Sequence, residues 1–102
     1  MPRYHALVTL TEKGVTNIDQ SCERANRFRH AVEESGGQVI VQYWCMGPYD
    51  GGIVFDAPNE SVAMALLLML AKDKYVRTQT SHVLEADEFK QVLLQMADKD
   101  AH

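Results

Sequence analysis

Ten consecutive apolar residues, Val62 to Ala71, constrain this chain more than any other stretch. A membrane span needs about 20 such residues, so the run reads as a helix buried in protein on more than one side. Asn59, after Pro58, carries the side chain of an N-cap, and the helix is predicted to continue to about Lys72. One sheet covers one side only. Phe89, Val92, Leu93 and Met96 fall at i, i+3, i+4 and i+7, the spacing of a narrow apolar stripe on a terminal helix, which is the natural second cover.

The remaining segments supply the sheet. Tyr4 to Leu10 sets Ala6, Val8 and Leu10 against His5, Leu7 and Thr9, apolar on both faces, as in a central strand. From Thr16 to Ser35, Ile18, Cys22, Ala25, Phe28 and Val32 repeat at helical spacing opposite Glu23, Arg27, His30 and Glu34. This predicts one long amphipathic helix closed by Gly36-Gly37. Val39 to Trp44 is a second strand, Met46 to Gly51 has the Gly, Pro and Asp chemistry of a reversal, and Ile53 to Phe55 resumes a strand. Val76 to Leu84 reads as a fourth. The order β-α-β-β-α-β followed by a helix predicts an α+β, ferredoxin-like fold. Its antiparallel four-stranded sheet carries both main helices on one face, with a further C-terminal helix. Residues 1–97 form the single domain and 98–102 a frayed tail. Strands one and three offer apolar side chains both ways, Ala6 and Val8 against Leu7, Ile53 and Phe55 against Val54, so the face without helices is apolar too and self-association through it is expected.

Composition narrows the function. The 102 residues are 46% hydrophobic and 24% charged, which excludes disordered and low-complexity classes. Ten Lys and Arg against 14 Asp and Glu give a net charge of -4, the wrong sign for a phosphate-backbone binder. No nucleic-acid or membrane partner is expected. Cys22 and Cys45 have no metal-ligand spacing and are read as reduced; the start of the chain lacks the apolar run of a signal peptide, which predicts a cytoplasmic protein. No metal site or cofactor is expected.

Gly47-Pro48-Tyr49-Asp50 after Tyr43-Trp44 resembles the Gly-x-Tyr-Asp signature of the GYD domain family. The resemblance extends over nearly the whole chain, through Tyr4, Leu7, Thr11, Gly14, Ser21, Arg24, Gly36-Gly37, Ala57-Pro58, Val76-Arg77-Thr78, Thr80 and Glu88-Phe89. It implies a dimeric α/β barrel assembly, two ferredoxin-like sheets packed face to face, in a small bacterial protein of a family without an assigned biochemical role. The wider superfamily includes cofactor-independent monooxygenases, muconolactone isomerases and haem-degrading oxygenases. Three residues depart from the pattern of the family it resembles: Lys74 stands in place of a glycine before the fourth strand, and Ser81-His82 in place of a leucine and an arginine.

Four residues are catalytic candidates: His5 and His82 as bases, Tyr49 and Arg77 as electrostatic stabilisers. If strands one and four are neighbours, the two histidines approach on one face. Thr9, Arg77, Thr78, Thr80 and His82 are the candidate ligand-binding residues, beside an apolar wall of Leu and Met from the ten-residue run. Gly47, Tyr49 and Asp50 read foremost as turn chemistry, with Asp50 accepting backbone N–H bonds. The leading expectation is a homo-oligomeric module that holds a small, partly apolar ligand between sheet and helices. The alternative is a cofactor-independent oxygenase or isomerase acting on a small aromatic or lactone-like substrate, and a third is a partner-binding subunit for a different protein.

Overall fold

The computed structural model describes residues 1–101. Four strands, β1 (Arg3–Leu10), β2 (Gln38–Trp44), β3 (Gly51–Asp56) and β4 (Val76–Val83), form one sheet in the order β2-β3-β1-β4 with every neighbouring pair antiparallel. The helices are α1 (Glu12–Thr16), α2 (Ser21–Glu34), α3 (Glu60–Lys72) and α4 (Ala86–Asp100). α2 lies over β2 and α3 over β4, which gives the ferredoxin-like arrangement expected from the sequence.

Directly opposed residues of an antiparallel pair share a face, so the register sorts the side chains. Tyr4, Ala6, Ile53 and Phe55 point to the helices and are buried there with Phe28, Val32, Ala63 and Leu66. Phe28 meets Phe55 edge-on at 5.5 Å, and Tyr4 stacks on Phe55 at 5.6 Å. Leu7 and Val54 lie on the opposite face, away from every helix. Between Val39 and Val41 the β2–β3 register shifts, a bulge that leaves Ile40 out of the ladder.

Two helical expectations are corrected. The long helix predicted from Thr16 to Ser35 is a 3-10 turn at Ile18–Gln20 followed by α2, and a separate short helix, α1, precedes it and ends at Thr16. Thr11 starts α1 early by accepting the Gly14 N–H at 3.1 Å, and Asn17 then leaves helical geometry at φ -111°, ψ 33°. Ile18 and Cys22 are consequently exposed, and only Phe28 and Val32 of the predicted stripe are buried. The terminal helix does not cover α3. None of its residues is buried, while Met64, Leu68 and Met69 of α3 stay exposed. Its start is fixed by a capping box between Glu85 and Glu88 and by Arg3, whose Nη1 donates to Glu85 at 2.6 Å. α4 also continues through Asp98–Asp100, part of the segment expected as a tail, and His102 lies outside the described residues. The molecule is elongated, 56 by 31 by 20 Å.

Candidate functional site

Where the sheet meets α2 and the end of α3, the helix-side face does not close. A cavity of about 220 Å³ remains between Val8, Leu10 and Ile53 of the sheet, Phe28 of α2, and Met69 and Leu70 of α3. Gly51 at the start of β3 lines it because the strands approach closely there; a Cβ would stand 2.5 Å from the Tyr43 carbonyl. Gly14 serves the other wall: the Tyr75 carbonyl, which accepts the Thr11 N–H at 3.1 Å, would be 2.0 Å from a Cβ at residue 14. The segment Asp73–Tyr75 is thereby drawn against α1 and toward the cavity.

Polar groups on the wall are mostly engaged. Asp50 ties the hairpin reversal to β1, donating its N–H to the Val8 carbonyl at 2.9 Å and accepting the Leu10 N–H on Oδ2 at 2.8 Å. Gln42 donates to the Ala25 carbonyl at 2.9 Å and accepts from Arg29 at 3.1 Å. Arg24, half-buried, donates to the Asn17 carbonyl at 3.0 Å and to Ser21 Oγ at 3.2 Å, and its guanidinium lies 4.4 Å from the Tyr75 ring centroid. Lys13 is held 4.3 Å from the same centroid.

The candidate residues read from sequence fall elsewhere. His5 is on the open face, its Nε2 2.7 Å from the Tyr43 hydroxyl. That contact crosses Gly52, where a Cβ would be 2.1 Å from the hydroxyl oxygen. His82 is on the helix side, opposite Tyr4 and stacked on its ring at 5.2 Å, so the two histidines are on opposite faces and do not approach. Thr9 and Arg77 oppose each other on the open face; Thr78 and Thr80 oppose Val8 and Ala6 on the helix side. None of the five candidate ligand-binding residues lines the cavity. Tyr49 donates to Gln79 Oε1 at 3.0 Å, and Gly47 turns the exposed reversal at φ +144°. Arg24, Gln42, Trp44 and Tyr75 line the cavity but are absent from the candidates read in the sequence. The available signal was Arg24 itself, one turn before Phe28 on the inward stripe of α2, where a cation is out of keeping with its neighbours.

Charge is concentrated at the far end of the sheet. Arg3 donates to both Asp56 oxygens, at 2.7 and 3.1 Å, and Gln38 adds a third bond at 3.1 Å. The hydrogen bond from Arg3 holds the Asp56 carboxyl below its ordinary pKa against the opposing effect of burial, and Asp56 raises that of Arg3. Burial, with a smaller effect of Glu60, pushes the Tyr4 phenol up; its hydroxyl is buried without a hydrogen-bond partner. Among the described residues no group of three His, Cys, Asp or Glu side chains could hold a metal ion, and no helix is long and apolar enough to cross a membrane.

The family described as GYD domain matches residues 4–93. A protein of Thermus thermophilus named "Glutamine synthetase and cystathionine beta-lyase binding protein" is 32% identical over 81 residues, covering 78% of this chain and 85% of the relative.

Proposed function

The chain belongs to the GYD domain family, and we propose that it is a small homo-oligomeric binding module, two copies joined through the open sheet face, that docks on a larger cytoplasmic enzyme. The observation that carries this reading is the relative named for binding two enzymes, similar to this chain over 85% of its own length. The surface agrees with it. Phe89, Leu93, Leu94 and Met96 on α4, with Met64 and Leu68 on α3, leave more apolar side chain in water than a lone domain usually does. Glutamine synthetase and cystathionine β-lyase of the source organism are the first partners to try. The purified protein is mixed with each enzyme at about 10 μM and run on size exclusion with light scattering, where a complex stable at that concentration is retained. Co-elution at increased mass supports the reading. Separate elution with both enzymes rejects these partners.

A second reading, that the module also holds a small, partly apolar ligand, is favoured by the 220 Å³ cavity between sheet and helices. The geometry suits holding more than turnover. Neither His5 nor His82 is on the cavity wall; of the two carboxylates there, Asp50 accepts the Leu10 N–H and Asp73 stands at the exposed end of α3. An oxygenase or isomerase would have to use Asp73, whose carboxylate is in solvent, as the base.

A further inference from the structure

Resting on the reading that the cavity holds a ligand, we propose that this ligand is a small carboxylate with an apolar body, and that Arg24 is the residue that reads its charge. Arg24 is half-buried on the cavity wall, and among the described residues it makes no salt bridge; the ion pairs there belong to Arg3. A guanidinium carries five N–H donors, and the Asn17 carbonyl and Ser21 hydroxyl engage two. Those two bonds and the stack on Tyr75 hold the fork in one place, so an arriving carboxylate meets donors already oriented. A cation partly withdrawn from water without a counter-charge attracts an anion more strongly than one on the open surface.

Arg24 also satisfies a carbonyl at the end of α1, and that alone would explain one of its bonds. Helix capping does not explain why the cap lies on the wall of an apolar cavity. Two carboxylates and a second cation also border the cavity: Asp50 accepts from the Leu10 backbone, while Asp73, at the end of α3, and Arg27 are both exposed to solvent, which screens their charge more than that of half-buried Arg24. Val8, Ile53, Phe28, Met69 and Leu70 are left to contact the rest of the ligand. The space admits on the order of ten non-hydrogen atoms.

The test uses phenylacetate and its uncharged isostere phenylacetamide, titrated calorimetrically into the wild-type protein, Arg24→Gln and Arg24→Lys. The wild type should bind the acid at least about 10-fold more tightly than the amide, as expected of a charge-assisted pair. Arg24→Gln should erase that preference by weakening the acid far more than the amide, and Arg24→Lys should keep part of it; an acid preference undiminished in Arg24→Gln overturns the assignment to Arg24. Equal binding of acid and amide by the wild type overturns the proposal and leaves the small-ligand reading standing. Absence of binding for both up to about 10 mM removes the two together. Should Arg24→Gln fail to fold, Arg24→Lys decides: a reduced acid-to-amide ratio supports Arg24, and a ratio equal to that of the wild type overturns the assignment, since Arg27 also lines the cavity.

Discussion

Lys74 is the one described non-glycine residue at positive φ, +66°, a backbone region that favours glycine. Its N–H closes the end of α3 on the Ala71 carbonyl and its own carbonyl accepts from Thr11, so the left-handed turn is needed to seat Tyr75. A Cβ in that region costs roughly 1 to 2 kcal/mol, while glycine gives back roughly 0.5 to 1 through the unfolded chain. Lys74→Gly should therefore raise stability by up to about 1 kcal/mol in urea denaturation. The opposite holds at Gly47, where φ is +144° and nothing lies within 4 Å of an added Cβ: Gly47→Val should cost about 1 to 3 kcal/mol through backbone strain alone. Tyr4 gives a third case. Its buried hydroxyl has no partner, so Tyr4→Phe removes a desolvated polar atom and keeps the stack on Phe55. Stability should stay level or rise by about 1 kcal/mol, and a loss beyond that in the same denaturation would mean the hydroxyl is bonded. Of these three, only Gly47 was legible in residue type, because a glycine in a reversal marks special backbone; a lysine at positive φ and an unpaired hydroxyl leave no such trace in a sequence.

At the scale of elements, the strands and α3 were legible because each has a local cause. Alternation marks β1, turn residues bound the reversal, and the apolar run has an N-cap in Asn59, whose Oδ1 accepts the Val62 N–H at 2.9 Å. The break between α1 and α2 was not legible, since Ile18, Cys22 and Ala25 keep helical spacing across it. Its causes are tertiary: the Tyr75 carbonyl pressed against Gly14, and Arg24 drawn to the Asn17 carbonyl. The cavity follows from those same contacts, which is why its residues escaped a reading by spacing. α4 was legible as a helix but not in its placement, which Arg3 helps to fix by bonding both Asp56 and Glu85. That junction predicts acid sensitivity. Asp56 titrates below its ordinary value of 3.8 in the folded chain, so the unfolded chain takes up the proton first as pH falls. The stabilisation is complete above the unfolded carboxyl's range and is lost as pH drops through the folded value. Asp56→Asn should lose about 1 to 2 kcal/mol at neutral pH and show a flatter decline in melting temperature between about pH 5 and pH 3.

At the scale of the molecule, apolar side chains lie outside the core in two separate places. The helix face of the sheet has its core, but Leu7 and Val54 face away from it, and α4 holds Phe89, Leu93 and Met96 in solvent. β-alternation makes the two faces separable by experiment. Val54 lies between Ile53 and Phe55, both buried under the helices, so its own side chain stands on the open face opposite His5 and Val41. An aspartate at 54 does not enter the core; it places an unpaired carboxylate in the surface through which two copies are proposed to join. Light scattering at micromolar concentration should give the wild type about twice 11.5 kDa, as a standard-size interface remains closed there. Val54→Asp should run as a monomer with an unchanged circular dichroism spectrum, whereas Ile53→Asp, one position along the same strand, should unfold because its charge lands against Phe28 and Phe55. A wild-type mass of 11.5 kDa would remove the dimer. Unfolding by both substitutions would mean that the open face, too, is part of the core of a single chain.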